Sequence, residues 1–300
     1  MALRILFAGS GEFGAPSLDA LMGAGHEIVA VISQPDRPAG RGRELTPTPI
    51  ARLALERGLR VVRTGNINEE KLDAADLLVV IAFGQKIAPQ IVNHARLGSV
   101  NLHASLLPKY RGAAPINRAI IRGERRTGNS VIRLAQKMDA GAILGQSEVE
   151  IGELETAGEL HDRLGVDGAV LLVKVVGALE RGIAVEREQD ETMATQAPKL
   201  NREAARIDWN ESGEVIASKI RGMYPWPGCR VKVGKELTLV RARASDREGE
   251  AGVIGADGLV GAGRESVEIV EVQPEGKRAM SLAAYRNGHL WEPGMRVESL

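Results

Sequence analysis

Short apolar runs separated by polar, glycine-rich turns fill the first half of the chain. Residues 3–8, 27–33, 59–63 and 76–83 are rich in Leu, Ile, Val and Ala with little polar alternation, and 100–103 reads as a further strand. Such runs predict strands covered on both faces, as in a parallel sheet. Between them, residues 17–25, 49–57 and 115–122 carry apolar positions at helical spacing, as with Leu18, Leu21 and Met22. Residues 130–135 and 143–151 predict two more strands, and 155–181 a long helix that stops near Gly182. Strands alternating with helices predict an α/β fold, Rossmann-like and doubly wound around a mainly parallel sheet. Right-handed crossovers would bring the strand C-termini to one edge. This domain is expected to span residues 1–183. Residues 34–48 contain Pro35, Pro38, Gly40, Gly42 and Pro47 and read as a loop, long enough to suggest a function.

The texture changes after Gly182. Residues 184–206 are polar and irregular and predict a linker. In 207–300, short β-type runs at 230–233, 237–241, 252–254 and 266–272 are separated by glycines. That spacing predicts a small C-terminal β-barrel domain.

Composition narrows the class. No run approaches the roughly 20 apolar residues of a membrane span. The single cysteine, Cys229, excludes an internal disulfide and fits a reducing, cytoplasmic setting. No exposed apolar helix face argues for obligate assembly, so a monomer is expected. Formal net charge is zero, which argues against a general nucleic-acid binder. The distribution is uneven, however. Residues 30–63 hold seven Arg against Asp36, Glu44 and Glu56, and residues 109–133 hold Lys109 and six Arg against Glu124 alone.

The candidate chemistry lies at 101–108, Asn-Leu-His-Ala-Ser-Leu-Leu-Pro. In a strand, positions two apart share a face, so Asn101 and His103 should project together. An Asn amide can donate to a developing oxyanion, and a His can carry a proton near neutral pH. The loop Gly9-Ser-Gly11-Glu-Phe-Gly14 has the glycine spacing of a nicotinamide-dinucleotide site. The acid expected at the end of the second strand is missing, since Ser33 is followed by Gln34 and Pro35. A tight strand-to-helix turn explains the glycines better. His26, His94, His161 and His289 show no metal-ligand spacing, and no metal is expected.

The segment 101–108 resembles the signature of enzymes that take a formyl group from 10-formyltetrahydrofolate. With 34–43, Gln-Pro-Asp-Arg-Pro-Ala-Gly-Arg-Gly-Arg, and 199–209, Lys-Leu-Asn-Arg-Glu-Ala-Ala-Arg-Ile-Asp-Trp, the chain resembles the methionyl-tRNA formyltransferase family almost from end to end. The resemblance implies transfer of the formyl group to the α-amine of methionyl initiator tRNA, with 10-formyltetrahydrofolate as co-substrate. It implies Asn101 as oxyanion donor, His103 as proton carrier and Asp139 as the residue that orients His103. Ser105, Leu106, Leu107 and Pro108, with Phe83 and Gly84, would border the folate. Arg37, Arg41 and Arg43 would hold the tRNA acceptor end, and the C-terminal barrel would be of the oligonucleotide-binding (OB-like) type. One segment departs from the family. Where it commonly reads Leu-Asp-Thr-Gly-Asp, this chain has Met138-Asp-Ala-Gly-Ala142, closer to sugar-nucleotide formyltransferases. An amino-sugar nucleotide acceptor is therefore the alternative.

Overall fold

A computed structural model describes residues 2–39, 42 and 44–300; Arg41 and Arg43 lie outside the described residues. The chain divides into two compact units, 1–112 with 128–148 and 162–196, and 113–127 with 149–161 and 197–300.

The first unit is built on a seven-stranded sheet. Its strands β1 (Arg4–Gly9), β2 (Glu27–Ser33), β5 (Val61–Arg63), β6 (Leu77–Ile81) and β7 (Ser99–His103) are parallel neighbours in the order β7-β6-β1-β2-β5. Strands β9 (Arg126–Arg133) and β10 (Ile143–Glu150) extend the β7 edge, and β9 runs antiparallel to β7. Every residue of β6 is buried, which is why its sequence Leu-Leu-Val-Val-Ile shows no alternation. The chain moves outward from β1 through β2 to β5, then crosses to β6 on the other side of β1. The switch point of this doubly wound sheet therefore lies between β1 and β6. Helices α1 (Ala15–Gly23), α2 (Pro49–Glu56), α3 (Pro89–Val92) and most of α5 (Ala157–Glu180) belong to this unit. Thr48 caps α2 by accepting from Ala51 N, and Pro49 supplies a preset first helical residue.

One expectation is corrected here and one reading is settled. The stretch 34–48 is not all loop. It contains a hairpin of β3 (Arg37–Ala39) and β4 (Glu44–Thr46), pairing Arg37 with Thr46 and Pro38 with Leu45. Its prolines lack an N–H and hide so short a ladder from any pattern reading. The glycines of 9–14 close onto the core. A Cβ on Gly9 would meet Phe7 Cε1 at 2.9 Å and Ile81 O at 3.0 Å. They serve a tight turn, as the missing acid suggested.

The second unit includes α4 (Pro115–Ile121) and a helix the pattern did not announce, α6 (Gly213–Met223). Ser212 caps α6, and Ile216, Ile220 and Met223 form its buried stripe. Gly222 lets α6 approach α4 closely, because a Cβ there would meet Ile121 Cγ1 at 2.5 Å. An antiparallel sheet follows in the order β14 (Val260–Ala262), β15 (Glu265–Pro274), β13 (Lys235–Ser245), β12 (Cys229–Val233), β17 (Glu298–Ser299), with β16 (Met280–Ser281) on β15. Here burial alternates along β12, as one covered face requires. Single bridges Ala251–Gly261, Ile254–Val260 and Val253–Arg296 carry the curl from the β14 side toward β17, giving a barrel-like unit. The short strands β8 (Arg111–Gly112) and β11 (Gln196–Ala197) and the helix α7 (Leu282–Arg286) complete the elements. Cys229 is fully buried in this unit's apolar core, and burial pushes its thiol up to about 12. Among the described residues no helix is long and apolar enough to cross a membrane.

Candidate active site

Asn101 and His103 both lie in β7, the last parallel strand, opposite Ile132 and Ser130 of β9. The pleat puts them on one face, as the spacing predicted. Asn101 is half-buried, and its side-chain amide has no hydrogen-bond partner among the described residues. It is thus available to a ligand. The His103 side chain is 7% exposed. Its Nε2 lies 2.9 Å from the carbonyl oxygen of Tyr110. A carbonyl can only accept, so Nε2 carries the hydrogen and Nδ1 is left for proton exchange. Nδ1 faces Asp139 Oδ2 at 3.6 Å, too far for a direct hydrogen bond.

Asp139 comes from a segment whose residues 135–138 are exposed. Its backbone has φ +53, a left-handed conformation that costs a non-glycine residue roughly 1–3 kcal/mol and needs surrounding support. Several contacts supply it. Gly112 N donates to Asp139 Oδ2 at 2.9 Å. Gln189 Nε2 donates to the carbonyls of both Asp139 and Gly141, each at 2.8 Å. Gly141 must be glycine, since a Cβ would sit 1.9 Å from Arg133 O. Arg111, 2% exposed, donates from Nε and Nη2 to Gln189 Oε1 at 3.1 and 2.7 Å. The same Nη2 reaches Glu191 Oε1 at 2.7 Å, and Glu191 also pairs with Lys137. The Arg111 hydrogen bond, then that from Lys137, holds the Glu191 carboxyl down to about 2. Gln189 and Glu191 were not singled out by the sequence, and Arg111 was read there only as part of the basic segment 109–133. Gln189 and Glu191 fall inside the stretch 184–206, read there as a linker because its polar residues show no period.

The turn after β7 has a different role for each residue. Ser105 is buried; its hydroxyl donates to Lys109 O at 2.7 Å, and its carbonyl accepts from Ser130 Oγ at 2.6 Å. Leu107 packs with Ile132 and Ile143, and its N–H donates to Ser130 Oγ at 3.0 Å. Leu106 and Pro108 are half-buried. Phe83 packs in the core beside Leu78 and Ile91, so only its backbone faces the sheet edge. There its carbonyl accepts from Gln34 Nε2 at 2.8 Å. Gly84 is exposed at φ +75, and a Cβ would meet Gln34 Nε2 at 2.6 Å. Arg37 is exposed on the hairpin and hydrogen-bonds Gln34. Of the basic stretch around it, Arg57, Arg60 and Arg63 pair with Asp19, Asp73 and Asp36.

The geometry thus brings together Asn101, His103 and Asp139, which suits an acyl-type transfer: an oxyanion donor, a proton carrier and a carboxylate beside it. Residues 3–176 match the model of a family described as formyl transferase, and residues 199–290 match its C-terminal domain. A protein named methionyl-tRNA formyltransferase from Moorella thermoacetica is 41% identical, with 97% of this chain and 98% of that protein covered. One of the same name from Methylococcus capsulatus is 40% identical over 96% and 97%. Solved structures are more distant. WlaRD, described as a sugar 3N-formyl transferase, aligns over 93% of this chain and 100% of its own with a TM-score of 0.66 and 16% identity. HypX from Aquifex aeolicus, in complex with tetrahydrofolic acid, aligns over 95% of this chain and 47% of its own with a TM-score of 0.63 and 19% identity.

Proposed function

The chain belongs to the formyl transferase family, and on that premise we propose that it moves the formyl group of 10-formyltetrahydrofolate to the α-amine of methionyl initiator tRNA. The product would be the formylated methionyl-tRNA used to start translation; on this reading the enzyme works in the cytoplasm, as a monomer. The observation that carries the reading is the approach of Asp139 to His103 Nδ1, beside the Asn101 amide that has no partner among the described residues.

The α-amine attacks the formyl carbon, and a carbon–nitrogen bond forms as the carbonyl oxygen becomes an oxyanion. Asn101 Nδ2 donates to that oxygen. His103 Nδ1 accepts the proton lost by the amine and passes it to N10 of the folate as the carbon–N10 bond breaks. Asp139 stabilises the imidazolium between these steps. No atom of the protein becomes covalently attached. Half-buried Leu106 and Pro108 would offer apolar surface to the pterin, with Ser105, Leu107, Phe83 and Gly84 bordering the folate. Arg37, with Arg41 and Arg43, would contact the acceptor end of the tRNA. The first unit, with Gln189 and Glu191 from the stretch 184–206, would perform the chemistry, and residues 207–300 would hold the tRNA.

The test is formylation of charged initiator tRNA by purified protein supplied with 10-formyltetrahydrofolate. Robust transfer is expected from wild type, falling by ~10² to 10⁴ in His103→Ala. No transfer by wild type, with transfer to an amino-sugar nucleotide instead, would overturn the choice of acceptor. The alanines at 140 and 142 favour that second reading, while full-length identity to the tRNA enzymes opposes it.

A further inference from the structure

We propose that Gln189, oriented by Arg111, is a positioning residue that sets the Asp139 carboxylate beside His103 during formyl transfer; this rests on the function proposed above. The side-chain amide of Gln189 has a single admissible orientation. Its oxygen meets the guanidinium of Arg111, which only donates, and its nitrogen meets two carbonyls, which only accept. Those carbonyls belong to Asp139 and Gly141 and flank Ala140, so one amide clamps both ends of the left-handed turn. Lys137 and Met138, just before this turn, are exposed, Met138 73% so, and bring no core packing to it.

The clamp closes on itself. Arg111 also binds Glu191, and Glu191 binds Lys137 on the same segment as Asp139. Arg111 stands between Tyr110 and Gly112, whose backbone groups hold His103 Nε2 and Asp139 Oδ2. Three consecutive residues therefore fix the imidazole, the amide clamp and the carboxylate. Moving the clamp displaces Asp139 relative to His103 without touching either substrate. A misplacement of about 1 Å costs on the order of 100-fold in rate.

The experiment compares wild type, Gln189→Ala, Gln189→Glu, Asp139→Asn and the double variant Gln189→Ala/Asp139→Asn in the formylation assay, with melting curves for each. Gln189→Glu keeps the acceptor for Arg111 but presents a carboxylate to two carbonyls. Expected are kcat losses of roughly 10- to 100-fold in both Gln189 variants, with KM for folate and tRNA nearly unchanged. In the Asp139→Asn background the Gln189→Ala loss should shrink to about 2-fold or less, because the residue it positions is already disabled. The proposal is overturned if Gln189→Ala stays within about 2-fold of wild type, or if its loss is as large in the Asp139→Asn background. An inactive wild type would instead overturn the assigned function.

Discussion

Arg111 in the first unit and Arg241 in the second each gather two acceptor side chains. Arg111 is 2% exposed and holds Gln189 and Glu191 beside His103 and Asp139. Arg241 is 25% exposed and holds Glu159 and Glu271, and its Nη1 also donates to Leu154 O at 2.8 Å. Glu159 in turn accepts from Thr156 N and Oγ1 at 3.0 and 2.9 Å, while its own N–H donates to Thr156 Oγ1 at 3.4 Å. That is a capping box at the start of α5, tied to β13 and β15 through one guanidinium. On the function proposed, the first cluster would place a reacting group, whereas the second joins a helix start to a sheet. Similar chemistry would thus serve turnover in one unit and cohesion in the other.

The comparison can be broken or sharpened by substitution. The largest effect belongs to the site the first arginine serves: Asn101→Ala should lower kcat by ~10² to 10³ with melting temperature nearly unchanged. A variant that melted early and lost little turnover would make Asn101 a structural residue. Arg241→Ala should do the reverse, lowering stability by about 1–3 kcal/mol, because two carboxylates and a carbonyl lose a charged donor. Denaturant unfolding reads that loss, and kcat of the folded fraction should stay within about 2-fold, since Arg241 lies outside the site. Parallel loss of turnover would erase the contrast.

The smallest effect is the pH dependence. The Arg241 hydrogen bond, reinforced by Thr156, holds the Glu159 carboxyl at about 2, against an ordinary 4.5. Glu191 is held at about 2 as well, by Arg111 and Lys137. A depressed carboxyl contributes stability above its ordinary value and loses it as pH falls toward the folded value. Melting temperature should therefore decline between pH of about 4.5 and about 2, and Arg241→Ala should flatten that decline. An unaltered profile in the variant would separate Glu159 from acid sensitivity.

The sequence revealed these regions unequally. The parallel strands were legible because burial on both faces leaves a mark no turn or loop imitates, as in β6. The barrel strand β12 was legible as a short β-type run set off by glycines. Asn101 and His103 stood out because a polar pair two apart interrupts an apolar strand. Asp139 depended on resemblance, since a lone carboxylate in an exposed segment has no period. Gln189 and Arg111 were hidden for a deeper reason. They are 78 positions apart, and their meaning lies in hydrogen bonds that only folding creates. Helix α6 could have been found: Ser212 followed by Ile216, Ile220 and Met223 is a cap and a stripe. Gly213 and Gly222 masked it, one at each end, where close packing had removed the side chain.

The burial of Cys229 has a practical consequence. Its thiol is sealed in the apolar core and stays protonated at neutral pH, so maleimides and other thiol-directed dyes find little to attack. It is also the chain's sole cysteine. A fluorophore or spin label can therefore be attached at one introduced surface cysteine on the hairpin, with the native residue left in place, and motion there followed as tRNA is added.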